Sequence, residues 1–437
     1  MESTPKVIRS WAMYDWANSA YNLVITSTIF PFYYSVITSN PKTGDKVDFF
    51  GIRLINTALS NYAIAFAYLV IACLSPILSS MADYRGNKKL YMQLFCYLGG
   101  LSCCGLFFFT INTLDYGILL FILAAIGYCG SIVFYNSYLP EIAPESEQDR
   151  VSAKGFAYGY IGSVLLQLIC FIFIFFPKFF GINDSSFGPR FSFLLTGLWW
   201  MGFAQITFTH LPKSTRRNGN AEGLLIKGFM ELRKVWVEVQ KLPILKRFLS
   251  AFFFYSMGVQ TVMLVASYFA EKTLNLNSTQ LIGTILMIQL VAIAGAWIMA
   301  WFSDRWGNIR VLLGVVLIWV AICISAYYIE SANQFYILAG MVGLVMGGIQ
   351  SLSRSTYSKF MPETQDTASY FSFYDVTEKI AIVIGMFMFG FVEEITGSIR
   401  NSVIPLILFF AAGFLALLYC KKAQGKGEAT VIQPGLV

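Results

Sequence analysis

Three stretches of the sequence place ionisable or hydrogen-bonding side chains inside runs that are otherwise apolar. In SWAMYDWANSAYNLVITSTIFPFYY (residues 10–34), Asp15, Asn18, Tyr21 and Asn22 recur along one segment. In YSMGVQT (255–261), Gln260 adjoins Thr261. In YDVTEKIAIVIG (374–385), Asp375, Glu378 and Lys379 crowd into little more than one helical turn. Amides, hydroxyls and a phenol offer donors and acceptors to a polar ligand. A desolvated carboxylate can exchange a proton, and an ammonium attracts an anionic ligand group. This chemistry is recognition and proton exchange. Two readings stand side by side for the amides and hydroxyls: cavity lining, or hydrogen bonds that join helices at around 0.6 kcal/mol each. Asp375 and Lys379 are four apart and can meet on one helix face as a self-neutralised pair. Glu378 is expected to point about 100° away from Lys379.

The elements that must position these residues are membrane helices. Hydrophobic residues make up 57% of the 437-residue chain and charged residues 13%, whereas soluble domains carry about 25% charge. Apolar runs near 11–37, 58–81, 90–111, 114–137, 152–177, 190–211, 246–270, 279–302, 310–330, 334–357, 368–392 and 399–420 are each long enough to span a bilayer. They lack the period-2 alternation of barrel strands, and backbone groups in lipid must be satisfied internally. The expectation is an all-α polytopic membrane protein of twelve transmembrane helices. The first run is too long for a signal peptide and lacks a cleavage site, so it is read as a retained span. Of the 31 Lys and Arg, only Lys42, Lys46, Arg53, Lys178, Arg190, Lys272 and Arg400 fall on the side opposite the N-terminus, and only Lys379 falls within a span away from its ends. The positive-inside rule then places both termini in the cytoplasm. The same distribution argues against a nucleic-acid partner despite the net charge of +7. The eight cysteines lie in apolar runs without a CxxC or Cys/His pattern, so neither a metal nor a cofactor is expected. His210, at the end of the sixth run, reads as an ordinary interfacial residue.

The two halves repeat one another. SSMADYRGNKK (79–89) aligns with AWFSDRWGNIR (300–310), matching Asp83 to Asp304 and Gly86 to Gly307 at an offset of 221. YNSYLPE (135–141) aligns with YSKFMPE (357–363) at an offset of 222. Agreement of two independent motifs to one residue implies duplication of a six-span unit. In each D-x-x-G turn the glycine can take a positive φ, while the carboxylate can accept backbone amides or pair with arginine. A cytoplasmic gate is therefore assigned to Asp83, Gly86, Lys88, Arg150, Asp304, Arg305, Gly307 and Arg354. Superposing YDWANSAY on SMGVQTVM (256–263), an offset of 242, places Asn18 on Gln260 and Ser19 on Thr261. Small residues at Ser152, Gly155, Gly159 and Gly162, and at Gly340, Gly343 and Gly347, share helix faces and read as packing seams.

The two D-x-x-G loops resemble the loop pattern of the major facilitator superfamily. Ser79 and Ala300 replace its first glycine, and Tyr84 its arginine. YDWANSAY (14–21), YSMGVQT (255–261) and ASYFSFYDVTEKIAIVIG (368–385) resemble the vacuole-effluxer-like family within it, across the whole chain. Met257 stands where that family's pattern usually has aspartate. The resemblance implies the major facilitator fold and a bacterial inner-membrane location. It also implies secondary transport of an amino acid or related compound, in the direction of efflux and not enzyme catalysis. Substrate contacts are assigned to Asn18, Tyr21, Asn22, Gln260, Thr261 and Lys379, and proton coupling to Asp15, Asp375 and Glu378. The partners are then a small-molecule substrate, protons and membrane lipid, with the protein a monomer. An uncoupled facilitator, a lipid scramblase and a receptor are the alternatives. The domains expected are a six-helix bundle at 1–211, a linker at 212–243 with an amphipathic helix, and a second bundle with a short tail at 244–437. The linker helix, carrying Leu225, Phe229, Leu232, Trp236 and Val239, either lies among headgroups or packs on the bundle.

Overall fold

The computed structural model describes residues 4–39, 45–181, 183–212 and 224–431. The loop residues 213–223 and the tail after 431 lie outside the described residues. The chain is helical: α1 (Pro5–Ala20), α2 (Ile29–Thr38), α3 (Asn56–Arg85), α4 (Lys88–Gly105), α5 (Leu114–Ser137), α6 (Leu139–Ile142), α7 (Gln148–Phe175) and α8 (Phe187–His210). They are followed by α9 (Leu224–Lys241), α10 (Pro243–Leu274), α11 (Ser278–Trp306), α12 (Asn308–Tyr328), α13 (Ala332–Phe360), α14 (Thr367–Thr396) and α15 (Val403–Val431).

Among the described residues, 10 helices are long and apolar enough to cross a membrane. The two other expected spans are helical as well. The first is the run α1 to α2, joined by a π-helical segment at Tyr21–Thr28. The second is α14, whose apolar length is interrupted by Asp375, Glu378 and Lys379.

Helix ends follow local chemistry. Pro5 and Pro243 open α1 and α10, where a missing amide costs no hydrogen bond. Asn277 and Ser331 form reciprocal capping boxes with Gln280 and Gln334. Gly86 closes α3 at φ 64° and Gly307 separates α11 from α12 at φ 81°, so both repeated turns use the positive φ expected of them. A short hairpin of β1 (Lys46–Phe49) and β2 (Ile52–Ile55) was not expected. Its alternating KVDF and IRLI sequences flank a Phe50-Gly51 turn with positive φ at both residues.

The chain divides into two compact units. One holds the N-terminal segment up to Tyr138 together with Tyr158–Leu224; the other holds Leu139–Ala157 and the chain from Leu225 onward. In the first unit α1 packs on α8, α4 on both α5 and α8, and α3 on α5. In the second, α10 packs on α15, α12 on both α13 and α15, and α11 on α13. These are the same four pairings in repeat order, as expected for a duplicated six-helix unit.

The small-residue seams explain how the helices approach. A Cβ on Gly162 would meet the Trp16 carbonyl at 2.5 Å, and one on Gly159 would run into Ser19 Oγ. In the second unit Gly343 and Gly347 abut the backbone of Ile288 and Ala292, whereas Gly340 faces open space and is no part of the seam. The α9 helix buries Val235 and Val239, sets Trp236 at a tilt against Phe373 with ring centroids 5.5 Å apart, and leaves Ile226, Phe229 and Met230 largely exposed. Its packed stripe is therefore rotated from the expected one, because the bundle receives the valines and not Phe229. The side chains of Leu225 and Lys227 lie outside the described residues.

Candidate functional site

In the second unit, α10 and α14 bring four polar side chains together. Lys379 Nζ lies 3.2 Å from Asp375 Oδ1 and 3.5 Å from Glu378 Oε2. Glu378 Oε1 accepts a hydrogen bond of 2.6 Å from Gln260 Nε2. The expectation that Glu378 points away from Lys379 is corrected: the flexible lysine stem reaches both its own-face partner and its sequence neighbour. Asp375 is buried, and its Oδ2 has no hydrogen-bond partner among the described residues. Two carboxylates around one ammonium leave the cluster with a surplus negative charge when all three are ionised. One turn along, Tyr255 and Ser353 hydroxyls meet at 2.7 Å, and Phe252 stacks on Tyr374 at 4.2 Å.

Thr261 has a different setting. It is fully buried, its Oγ1 lacks a hydrogen-bond partner, and it presses on Gly385. In the other unit Ser19 presses on Gly159 in the same way. The superposition of Ser19 on Thr261 thus corresponds to a repeated helix crossing, and the structure places Thr261 in a packing seam. Met257 joins that seam, its carbonyl 2.7 Å from where a Cβ on Gly385 would lie.

In the first unit, Asp15 is buried and accepts a 2.7 Å hydrogen bond from Tyr135 OH. Trp11 stacks on the same tyrosine at 4.4 Å and donates from its indole to the Tyr135 carbonyl. Asn18 is buried with Nδ2 unpartnered among the described residues. Asn22 is half-buried, and its carbonyl accepts from Ser27 Oγ at 2.9 Å across the π-helical turn. Thr28 Oγ1 lies 2.7 Å from Leu23 O and 2.8 Å from Gln167 Oε1, so hydroxyls serve carbonyls that the wide turn displaces. Tyr21 sits in an aromatic cluster, 4.9 Å from Tyr128 and 5.8 Å from Trp200, and is packed within its unit. A π-helical turn of this kind often marks a functional position. The run of Thr26, Ser27 and Thr28, followed by Pro31 with its missing amide, is the sequence signal for it.

The residues expected to form a gate also separate. Arg150 Nε lies 2.6 Å from Asp304 Oδ2. Arg354 is buried, donates to Ser152 Oγ and Ser152 O at 2.9 Å each, and faces the Phe156 ring at 4.3 Å. Arg305 stacks on Trp301 at 3.7 Å. Asp83 is buried at the end of α3, and Lys88 is buried over the Tyr138 ring at 5.3 Å. Sequence reasoning missed Asp149, which is 1% exposed and accepts from Ser303, Asn308 and Lys359 at 2.9, 2.7 and 2.7 Å. It also missed the hydrogen bond from Thr367 to Glu141. Glu141 was marked by the repeat; Asp149 carried no signal beyond its place in the first turn of α7.

Residues 3–430 match the family described as vacuole effluxer Atg22 like. The chain belongs to this family. An uncharacterized MFS-type transporter, YxiO of Bacillus subtilis, is 30% identical over 420 residues, covering 96% of both chains. Autophagy-related protein 22 of Coccidioides immitis is 23% identical, over 87% of this chain and 74% of its own. Two solved structures share the fold. FucP, crystallised in the outward conformation, has a TM-score of 0.69 at 15% identity over 95% of this chain and 98% of its own. The human organic anion transporter MFSD10 has a TM-score of 0.72 at 11% identity over 95% of this chain and 100% of its own. This member of the Atg22-like family is therefore an integral membrane transporter of major facilitator fold, not an enzyme.

Proposed function

We propose that the protein is a secondary transporter that exports a small polar metabolite, an amino acid or a related zwitterion, by alternating access coupled to protons. The observation that carries this reading is the cluster that Asp375, Glu378 and Lys379 of α14 form with Gln260 of α10, in helices otherwise built for lipid. Ionisable groups within a span are costly and usually belong to an ion or substrate path. Lys379 suits a substrate carboxylate, while the surplus carboxylate suits a substrate ammonium group or a proton. Asp375 Oδ2, buried and unpartnered, is the atom where that proton or ammonium would bind. Asn18 Nδ2 and Gln260 supply neutral recognition in their respective units, and Asp15, held by Tyr135, is a second exchangeable carboxylate. Asp83 and Asp304 serve the gate and not recognition, with both termini in the cytoplasm. The family's description as a vacuole effluxer supports the direction of transport.

The test is counterflow and uptake of an amino-acid panel in proteoliposomes, with and without an imposed pH gradient. Accumulation driven by the gradient, with counterflow persisting in its absence, is the expected result. No transport of any zwitterion by correctly folded protein would overturn the substrate assignment, and transport indifferent to the gradient would overturn the coupling.

A further inference from the structure

Apart from the span cluster, the second unit holds a cavity of about 400 Å³ where α12, α13 and α15 meet the segment carrying Glu145. That volume lies within the range of small-molecule sites, roughly 300–1,000 Å³. Its charged lining consists of Arg310, Lys359, Lys421 and a lone carboxylate, Glu145. Lys359 is engaged with Asp149 and with Asn308 Oδ1 at 3.1 Å, which fixes its ammonium in place. Arg310 and Lys421 have no ion-pair partner among the described residues. Like charges gathered around one cavity repel unless an anion fills it.

The cavity floor adds a second attraction. The first turn of α12, Asn308 to Arg310, lines it, and that helix begins after Gly307 with no side-chain cap and no acidic residue in its first turn. The Asn308 side chain, which could have folded back as a cap substitute, instead donates to Asp149 and to Thr356 Oγ1 at 3.0 Å. Uncapped amides and the positive end of the helix dipole favour an anion with several acceptor oxygens. A phosphate group presents these to guanidinium, ammonium and amides together, while a single carboxylate would leave most of the donors unmet.

We infer that this cavity binds a phosphate group, carried either by a lipid headgroup or by a free phosphate compound, at a site separate from the transport path. The exposed Trp306 on its wall is of the type enriched at the membrane interface, which suits a headgroup. The inference does not depend on which side of the membrane the cavity faces.

The experiment measures binding of short-chain phosphatidylglycerol and of inorganic phosphate to the detergent-purified full chain by native mass spectrometry and calorimetry. R310Q/K421Q changes two exposed residues outside the Asp149 network, and K178Q serves as a control for general electrostatics. Loss of two charge-assisted contacts is expected to weaken the bound probe by about tenfold or more, with K178Q unchanged. Tight binding of the lipid with none of phosphate assigns a headgroup site; binding of phosphate, alone or with the lipid, assigns a site for the phosphate group itself. If neither probe binds, if R310Q/K421Q binds like the unsubstituted chain, or if K178Q weakens binding equally, the inference is overturned. None of these outcomes bears on zwitterion counterflow, so its failure is distinguishable from failure of the transport proposal.

Discussion

Lys359 Nζ lies 2.7 Å from Asp149 Oδ2, joining α13 to the first turn of α7 through a carboxylate whose side chain is 1% exposed. Ser303 and Asn308 donate to the same carboxylate, so three neighbours satisfy it. Removing a partner from a buried pair leaves an uncompensated charge and costs about 3–5 kcal/mol, while an exposed pair contributes about 0–1 kcal/mol. Lys359→Met is therefore expected to lower the apparent melting temperature in detergent far more than Arg150→Gln, whose arginine side chain is 69% exposed. Equal shifts would mean that the buried network does not hold α7 to its neighbours.

Lys379→Met leaves Asp375 and Glu378 without their shared cation. The expected outcome is weaker binding of zwitterionic and anionic compounds and poorer stability. Asp375→Asn combined with Lys379→Met removes one charge of each sign and should recover stability without recovering binding. Binding restored in the double variant would show that Lys379 acts only by neutralising Asp375.

Asp15→Asn keeps the shape of an acceptor for Tyr135 but cannot exchange a proton. Gradient-driven accumulation should fall while counterflow persists. Equal loss of both, together with reduced folded yield, would make the Asp15 contact structural.

Gly385→Ala adds a Cβ against Thr261 Oγ1 and the Met257 carbonyl. Overpacking of this kind costs about 1–3 kcal/mol. Thr261→Ala relieves only the hydroxyl contact, so the double variant should recover part of the lost thermal stability. Full recovery would mean that the backbone contact yields freely.

Asp184, outside the spans, has its carboxyl held below the ordinary carboxylate value. Hydrogen bonds from the Ser186 hydroxyl and amide at 2.9 and 2.8 Å are the main cause, and Arg190 adds a contact at 2.7 Å. A lowered folded value stabilises above the unfolded value of about 3.9, and that contribution disappears as pH falls through the folded value. Asp184→Asn should lower thermal stability at neutral pH, with the difference from the unsubstituted chain shrinking below about pH 4. A constant difference across that range would exclude the ionised carboxylate as its source.

The sequence by itself determined the class, the duplication and the chemistry on offer. Apolar length bounded by charge dictates helices wherever backbone groups must be satisfied without water. The repeated D-x-x-G and Y-x-x-x-x-P-E motifs, at offsets that agree to one residue, required two similar units, and Gly86 and Gly307 show the shared turn directly. Asp375, Glu378 and Lys379 announced themselves because charge in an apolar run is costly unless it is paired or hydrated. What each group touches was decided only in three dimensions. Spacing on one helix set Glu378 away from Lys379, yet a flexible ammonium reached both acids while α10 brought Gln260 alongside. That Thr261 packs against Gly385, and Tyr21 against the Tyr128 and Trp200 rings, is likewise a matter of tertiary contact. Asp149 gave no signal because its importance lies in partners more than 150 residues away in sequence. One-dimensional patterns report burial and local geometry; which buried polar groups satisfy one another, and which atom is left over for a ligand, depends on packing between helices.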